Sequence, residues 1–129
     1  MNIPEQYRDL LKPETRAYLY LATIMGDGSP QVTPVWFDTD GEHILINTNE
    51  GRTKDRNMKQ RTKVAMAIQD PADTYRYLQI RGEVVGYTRE GADEHIDMLS
   101  RRYDGKPWNY RPEQKRIIFK IRPDHFDKH

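Results

Sequence analysis

Residues 51–63 hold six cations, Arg52, Lys54, Arg56, Lys59, Arg61 and Lys63, against one anion, Asp55. The local charge is +5 in a chain of 129 residues with a formal net charge of +1, so the rest of the sequence is net negative. The segment follows a predicted strand at 43–48 and opens a predicted short helix. A helix start carries partial positive charge and favours Asp and Glu. Arg52 and Lys54 stand there against that preference. An external anion, held by both side chains and by free backbone N–H groups, would remove the conflict, and a phosphate is the first candidate. The other reading is a solvated basic turn.

Aromatic residues form a second signal. Trp36, Phe37, Tyr75, Tyr77, Trp108 and Tyr110 fall in or beside predicted loops and strand ends. Ordinary packing accounts for Phe37 and Tyr75. Trp108 and Tyr110 lie in a polar loop with Gly105, Lys106, Asn109 and Arg111, where an exposed ring calls for a partner subunit or a planar ligand.

Other chemistries lack their residues. There are no cysteines, so disulfides, thiolate metal sites and a cysteine nucleophile are ruled out. His43, His95, His125 and His129 are scattered without metal-ligand spacing. No dinucleotide fingerprint or phosphate loop occurs, and Ser29 and Ser100 sit in no nucleophile elbow. The carboxylates suggest no acid–base pair. The sequence therefore names no catalytic residue and no metal ligand.

Positioning these groups requires a mainly β domain. A short helix is predicted at 4–11, ended by Pro13. Strands follow at 16–25, 30–38 and 43–48, separated by turns at Gly26-Asp27-Gly28 and Asp40-Gly41. In the first strand both faces are largely apolar, as in a strand covered on both sides. After the basic segment come strands at 63–69 and 75–87, the second bent near Gly82. An amphipathic helix is predicted at 90–102, with Thr88 as N-cap, Ala92, Ile96, Leu99 and Tyr103 on one stripe, and an Asp97–Arg101 pair. A strand at 115–122 is last, and Pro123 begins a polar tail. About six antiparallel strands with peripheral helices suggest a small barrel, since closure removes exposed edges. Pro34 lies inside a strand, so that strand must sit at an edge or leave the sheet around Thr33 to Val35.

Composition sets the outer limits. One domain spanning 1–129 is expected. The lean core implied by 36% hydrophobic and 32% charged residues would benefit from dimerisation. A net charge near zero, with its basic residues in one segment, argues against a nucleic-acid partner. No apolar span or secretion signal is visible, so no membrane partner and a cytoplasmic location are expected.

The order of these pieces resembles the split barrels related to pyridoxamine 5′-phosphate oxidase, most of all the branch using the deazaflavin coenzyme F-420. The matching pieces are Asp27-Gly28-Ser29-Pro30-Gln31-Val32-Thr33-Pro34-Val35-Trp36, then Asn47-Thr48 with Gly51-Arg52-Thr53-Lys54-Asp55-Arg56-Asn57. Tyr75-Arg76-Tyr77-Leu78-Gln79-Ile80-Arg81-Gly82 and the helix from Glu90 follow. The resemblance implies an FMN-binding type of split barrel and a homodimer with two cofactor sites at the subunit interface. It places the cofactor phosphate on Arg52, Lys54 and Asn57, the ring along Gln31, Val32, Thr33 and Pro34, and the linker near Thr48. The partner chain would add Tyr77, Gln79, Trp108 and Tyr110. The implied activity is hydride transfer between coenzyme F-420 (8-hydroxy-5-deazaflavin) and an unsaturated or quinone-like small molecule, with the cofactor as the reactive group. The acidic tail of F-420 would need a cationic groove, for which Arg56, Lys59 and Arg61 are candidates. Two other readings stay open: an FMN-dependent pyridoxamine-phosphate-oxidase-like or flavin reductase enzyme, and a non-catalytic binder of a flavin or tetrapyrrole.

Overall fold

The computed structural model describes residues 1–128, with only the backbone of Lys128; His129, read above as a non-ligand, lies outside the described residues. A 3₁₀ segment, Glu5–Leu11, precedes a second short one, Pro13–Thr15. Seven strands follow: β1 Tyr18–Ile24, β2 Pro30–Val35, β3 Asp38–Thr39, β4 Ile44–Asn49, β5 Lys63–Asp70, β6 Asp73–Thr88 and β7 Arg116–Lys128. Helix α1, Thr53–Gln60, lies between β4 and β5, and helix α2, Ala92–Asp104, between β6 and β7.

All strand pairs are antiparallel and form one sheet in the order β2-β1-β5-β6-β7-β4-β3. The terminal strands β2 and β3 are joined by Trp36 and Phe37 alone. Val35 and Asp38 can therefore be no more than about 11 Å apart. The two ends of the sheet must meet, so it curls into a barrel split along the β2/β3 seam. The interior is apolar: Leu19, Ile44, Ile46, Ile68, Leu78, Phe119 and Ile121 are fully buried. Met58 of α1 joins this core, which fixes the helix across one end of the barrel.

The second predicted strand is two, β2 and β3, because the chain leaves the ladder after Val35 to swing between sheet ends. β2 is an edge strand, as Pro34 requires. Thr88 is not the N-cap of α2. Gly91 holds that position with φ 75°, and the Thr88 hydroxyl instead accepts the Glu90 N–H. Pro123 begins no tail: β7 runs through it, opposite Gly82 where the β6–β7 register shifts. The bend predicted near Gly82 falls at that shift. A Cβ at position 82 would lie 2.4 Å from the Arg122 carbonyl oxygen, so only glycine allows this approach. The outer face of β1 is partly open, with Tyr18 44% and Tyr20 38% exposed, although the Tyr18 ring meets Tyr103 of α2 at 5.5 Å between centroids.

Candidate functional site

Helix α1 starts beside the end of β4 with Arg52 as N-cap, in extended conformation and with no side-chain cap. Asp55, the one acid in the first turn, is buried and turned inward: it accepts the Gly51 N–H at 2.8 Å and pairs with Lys59 at 3.1 Å. It leaves Arg52 and Lys54 without an ion-pair partner among the described residues. Burial, then Arg52, then Arg116 hold the half-buried Lys54 ammonium below its ordinary value. Arg116 opens β7, directly across from Asn49. It is 8% exposed. Burial and Arg52 press its guanidinium down to about 10, Asp93 opposing. Arg52 and Lys54 thus crowd the start of α1 with no ion-pairing carboxylate among the described residues, a donor set that fits a phosphate, and Arg116 stands beside them.

The other predicted phosphate residue, Asn57, is committed elsewhere. Its Nδ2 donates to Thr23 Oγ1 at 3.0 Å and to Met25 Sδ at 3.3 Å, and its Oδ1 accepts from Arg61. The side chain is buried and stitches α1 to β1. The candidate tail residues are also engaged: Lys59 with Asp55 and Glu50, Arg61 with the Ile24 carbonyl, and Arg56 with the Gly51 carbonyl.

The predicted ring-lining residues alternate. Gln31 and Thr33 are half-buried, Gln31 Oε1 accepting from Thr23 at 3.4 Å, whereas Val32 and Pro34 are exposed on the opposite face. Thr48 is buried on the interior face of β4. Tyr77 and Gln79 face outward on β6. The ladder partners place Pro34, Tyr20, Ala67 and Gln79 in one row across β2, β1, β5 and β6. Three strand spacings separate Pro34 from Gln79, about 14 Å, so one chain does not bring the two together.

Trp108 and Tyr110 are less free than the loop sequence suggests. Trp108 is half-buried, its backbone N–H donating to Asp97 Oδ1 at 2.8 Å, and its ring stands edge-on to Trp36 at 6.3 Å between centroids. Tyr110 is 52% exposed, but its hydroxyl donates to the Asp93 carbonyl at 2.7 Å. Tyr75, assigned to packing, is 84% exposed at the β5–β6 turn, while Phe37 is buried as expected.

A cleft of about 250 Å³ opens at the seam, lined among others by Tyr18, Pro34, Trp36, Asn47, Trp108 and Arg116. Asn47 organises it. Its Oδ1 accepts from Arg116 Nε at 2.8 Å, and its Nδ2 donates to the Ala92 carbonyl at 2.9 Å and meets His95 Nδ1 at 3.1 Å. With the amide so oriented, His95 accepts at Nδ1 and carries its proton at Nε2. That nitrogen lies 3.3 Å from Asp38 Oδ2, off the line of a good hydrogen bond. Burial alone would raise the Asp38 carboxyl, but His95, the Thr39 N–H and Arg102 outweigh it and hold it below the usual carboxylate value. The sequence reading missed Arg116, Asn47, His95 and Asp38 as a set. A larger cleft of about 410 Å³ lies on the outer face of β1, β5 and β6, lined by Ala22, Ala65 and Arg81, away from the three cations. Among the described residues no group of His, Asp and Glu could hold a metal ion, and no helix is long and apolar enough to cross a membrane.

Comparisons agree with this geometry. The family model for pyridoxamine 5′-phosphate oxidase matches residues 3–129. A solved structure described as an F420 reductase is 38% identical, covering 98% of this chain and 100% of its own, with a TM-score of 0.86. A conserved hypothetical protein from Mycobacterium tuberculosis is 23% identical over 98% of this chain and 84% of its own, with a TM-score of 0.72. The haem storage protein HutZ of Vibrio cholerae, 14% identical over 99% of this chain and 95% of its own, shares the fold at a TM-score of 0.67. No curated protein is significantly similar in sequence. The chain is a split barrel of oxidoreductase type, and with a family match over nearly its whole length it belongs to the pyridoxamine 5′-phosphate oxidase family, alongside the F420 reductase.

Proposed function

We propose that the protein is a reductase dependent on coenzyme F-420, acting on an unsaturated or quinone-like small molecule as a homodimer with two cofactor sites at the subunit interface. The observation that carries this is the cation pair Arg52 and Lys54 at the start of α1, with no carboxylate to neutralise it. A cofactor phosphodiester would lie against these two side chains and the free N–H groups of the first turn of α1. Asn57 supports the helix from beneath. β2 contributes an edge without a partner strand among the described residues, next to the seam where a flat heterocycle could seat.

When bound, a reduced deazaflavin would supply hydride to an electrophilic carbon of the substrate, with the product's proton drawn from water or a side chain. The protein's part is to hold the phosphate, present a dry apolar surface and fix the approach of the substrate. The partly open outer face of β1, with Tyr18 and Tyr20, and the row through Ala67 to Gln79 form the surface a second subunit would cover. Tyr77 and Gln79 would then reach a site centred on the other chain.

FMN carries the same ribityl phosphate and fits the same cations. The preference for the deazaflavin rests on the F420 reductase at 38% identity. Titration of the purified protein with both cofactors tests it: tighter binding of F-420 supports the reading, and equal or tighter binding of FMN overturns the cofactor.

A further inference from the structure

Arg116 remains unexplained by the phosphate site. It is 92% buried yet forms no ion pair with any described residue. A buried guanidinium left unpaired is costly, and such a group usually serves an anion. Its orientation is fixed on two sides. Nε is held by Asn47 at 2.8 Å, and Asn47 is in turn locked by Ala92 and His95. The guanidinium carbon lies over the Trp108 ring, 5.0 Å from its centroid. The two terminal nitrogens have no acceptor among the described residues, and Arg116 lines the seam cleft with Trp36 and Trp108. Neither Arg52 nor Lys54 lines that cleft. At about 250 Å³ it is small for a whole deazaflavin nucleotide, and most of its lining is apolar or aromatic.

We propose that the seam cleft binds a planar conjugated carboxylate, its ring packed against Trp36 and Trp108 and its carboxylate held by the Arg116 fork. A carboxylate matches the paired terminal nitrogens of arginine in a way a neutral amide does not. The apolar walls supply the remaining contact, and Asn47 and His95 act as positioning residues for the guanidinium. That such an acid is the hydride acceptor rests on the function proposed above; the binding site itself does not.

The test uses the full chain without cofactor and the probes 2-naphthoate and 2-naphthamide, followed by titration calorimetry and by tryptophan emission. Trp36 and Trp108 are the only two tryptophans in the sequence, and both line this cleft, so an emission change that Trp36→Phe alters reports on it, Trp108 also lining a neighbouring pocket. The acid is expected to bind at least tenfold more tightly than the amide and to change the emission. Arg116→Gln should abolish that preference, Arg116→Lys should restore part of it, and Arg81→Ala, in the separate outer-face cleft, should leave naphthoate binding unchanged. If Arg116→Gln does not fold, the acid-over-amide ratio of the unaltered protein and the emission of Trp36→Phe and Trp108→Phe decide the matter. Equal affinity for acid and amide, no binding, or unchanged emission overturns the site. So does an Arg116→Gln protein that loses F-420 as severely as Lys54→Ala while naphthoate affinity stays the same, since Arg116 would then serve the cofactor phosphate. Loss of F-420 binding with naphthoate binding intact would sink the cofactor assignment and leave the site standing.

Discussion

Asn57 reaches from α1 into the barrel and donates to Thr23 Oγ1 at 3.0 Å, with both side chains almost wholly buried. An asparagine beside a row of cations suggests a phosphate ligand, but here it is the tie that sets the helix on β1. Removing it leaves the Thr23 hydroxyl with only its 3.4 Å bond to Gln31 and takes one acceptor from Arg61, which keeps the Ile24 carbonyl. Asn57→Ala should cost about 1–3 kcal/mol of stability, seen as a lower urea midpoint. The variant that remains folded should keep its cofactor affinity. A large loss of cofactor affinity at unchanged stability would return Asn57 to the phosphate site.

Lys54 should behave in the opposite way. Lys54→Ala is expected to weaken F-420 binding by about 1–3 kcal/mol, the range for a charge-assisted hydrogen bond, while leaving the unfolding curve nearly in place. Burial and the neighbouring arginines favour the neutral amine. The lysine therefore loses its proton earlier than a free lysine does. Cofactor affinity should fall as pH rises through the alkaline range below 10.5, and Lys54→Arg should flatten that fall. Dissociation constants measured across this range check both points.

At Gly82 the barrel wall folds over itself. Any side chain there meets the Arg122 carbonyl, with a Cβ only 2.4 Å from the oxygen. Backbone, unlike a flexible side chain, has little room to yield. Gly82→Ala should cost about 1–3 kcal/mol through overpacking, measured by thermal or urea unfolding. Gly86, which has open space around it, should tolerate alanine far better.

The strands were legible because their cues are local. Alternation along 63–69, the turn at Gly26-Asp27-Gly28 and the mid-strand Pro34 each follow from a few neighbouring residues. The start of α1 was legible too, because charge against a helix dipole is a sequence property. Arg116 was not. In a period-two reading it falls on the polar face with Lys120 and Arg122, and it is buried only because α2 and the following loop fold over that end of β7. Asn47, His95 and Asp38 come from three elements and meet only in the folded chain. The extension of β7 through Pro123 escaped notice for a related reason: a proline does not donate to a ladder, yet at a register shift no donor is needed.

Asp38 links the seam to α2, holding Arg102 at 3.2 Å and facing His95 at 3.3 Å. Its carboxyl lies below the ordinary 3.8, since the hydrogen bonds outweigh burial. A depressed carboxyl gives stability that is present above its unfolded value and lost as pH falls through the lower folded value. Acid titration of the fold by circular dichroism should show this loss below about pH 4. Asp38→Asn should start less stable at neutral pH and lose less on acidification.

Arg52 and Lys54 at the start of α1 are the proposed seat of a deazaflavin phosphate. The most direct measurement is the dissociation constant of F-420 for the unaltered protein and for an Arg52→Ala, Lys54→Ala double variant, set beside that of FMN. F-420 should bind more tightly than FMN, and the double variant should lose most of that affinity without unfolding. Equal or tighter binding of FMN, or F-420 affinity indifferent to both substitutions, would contradict the account.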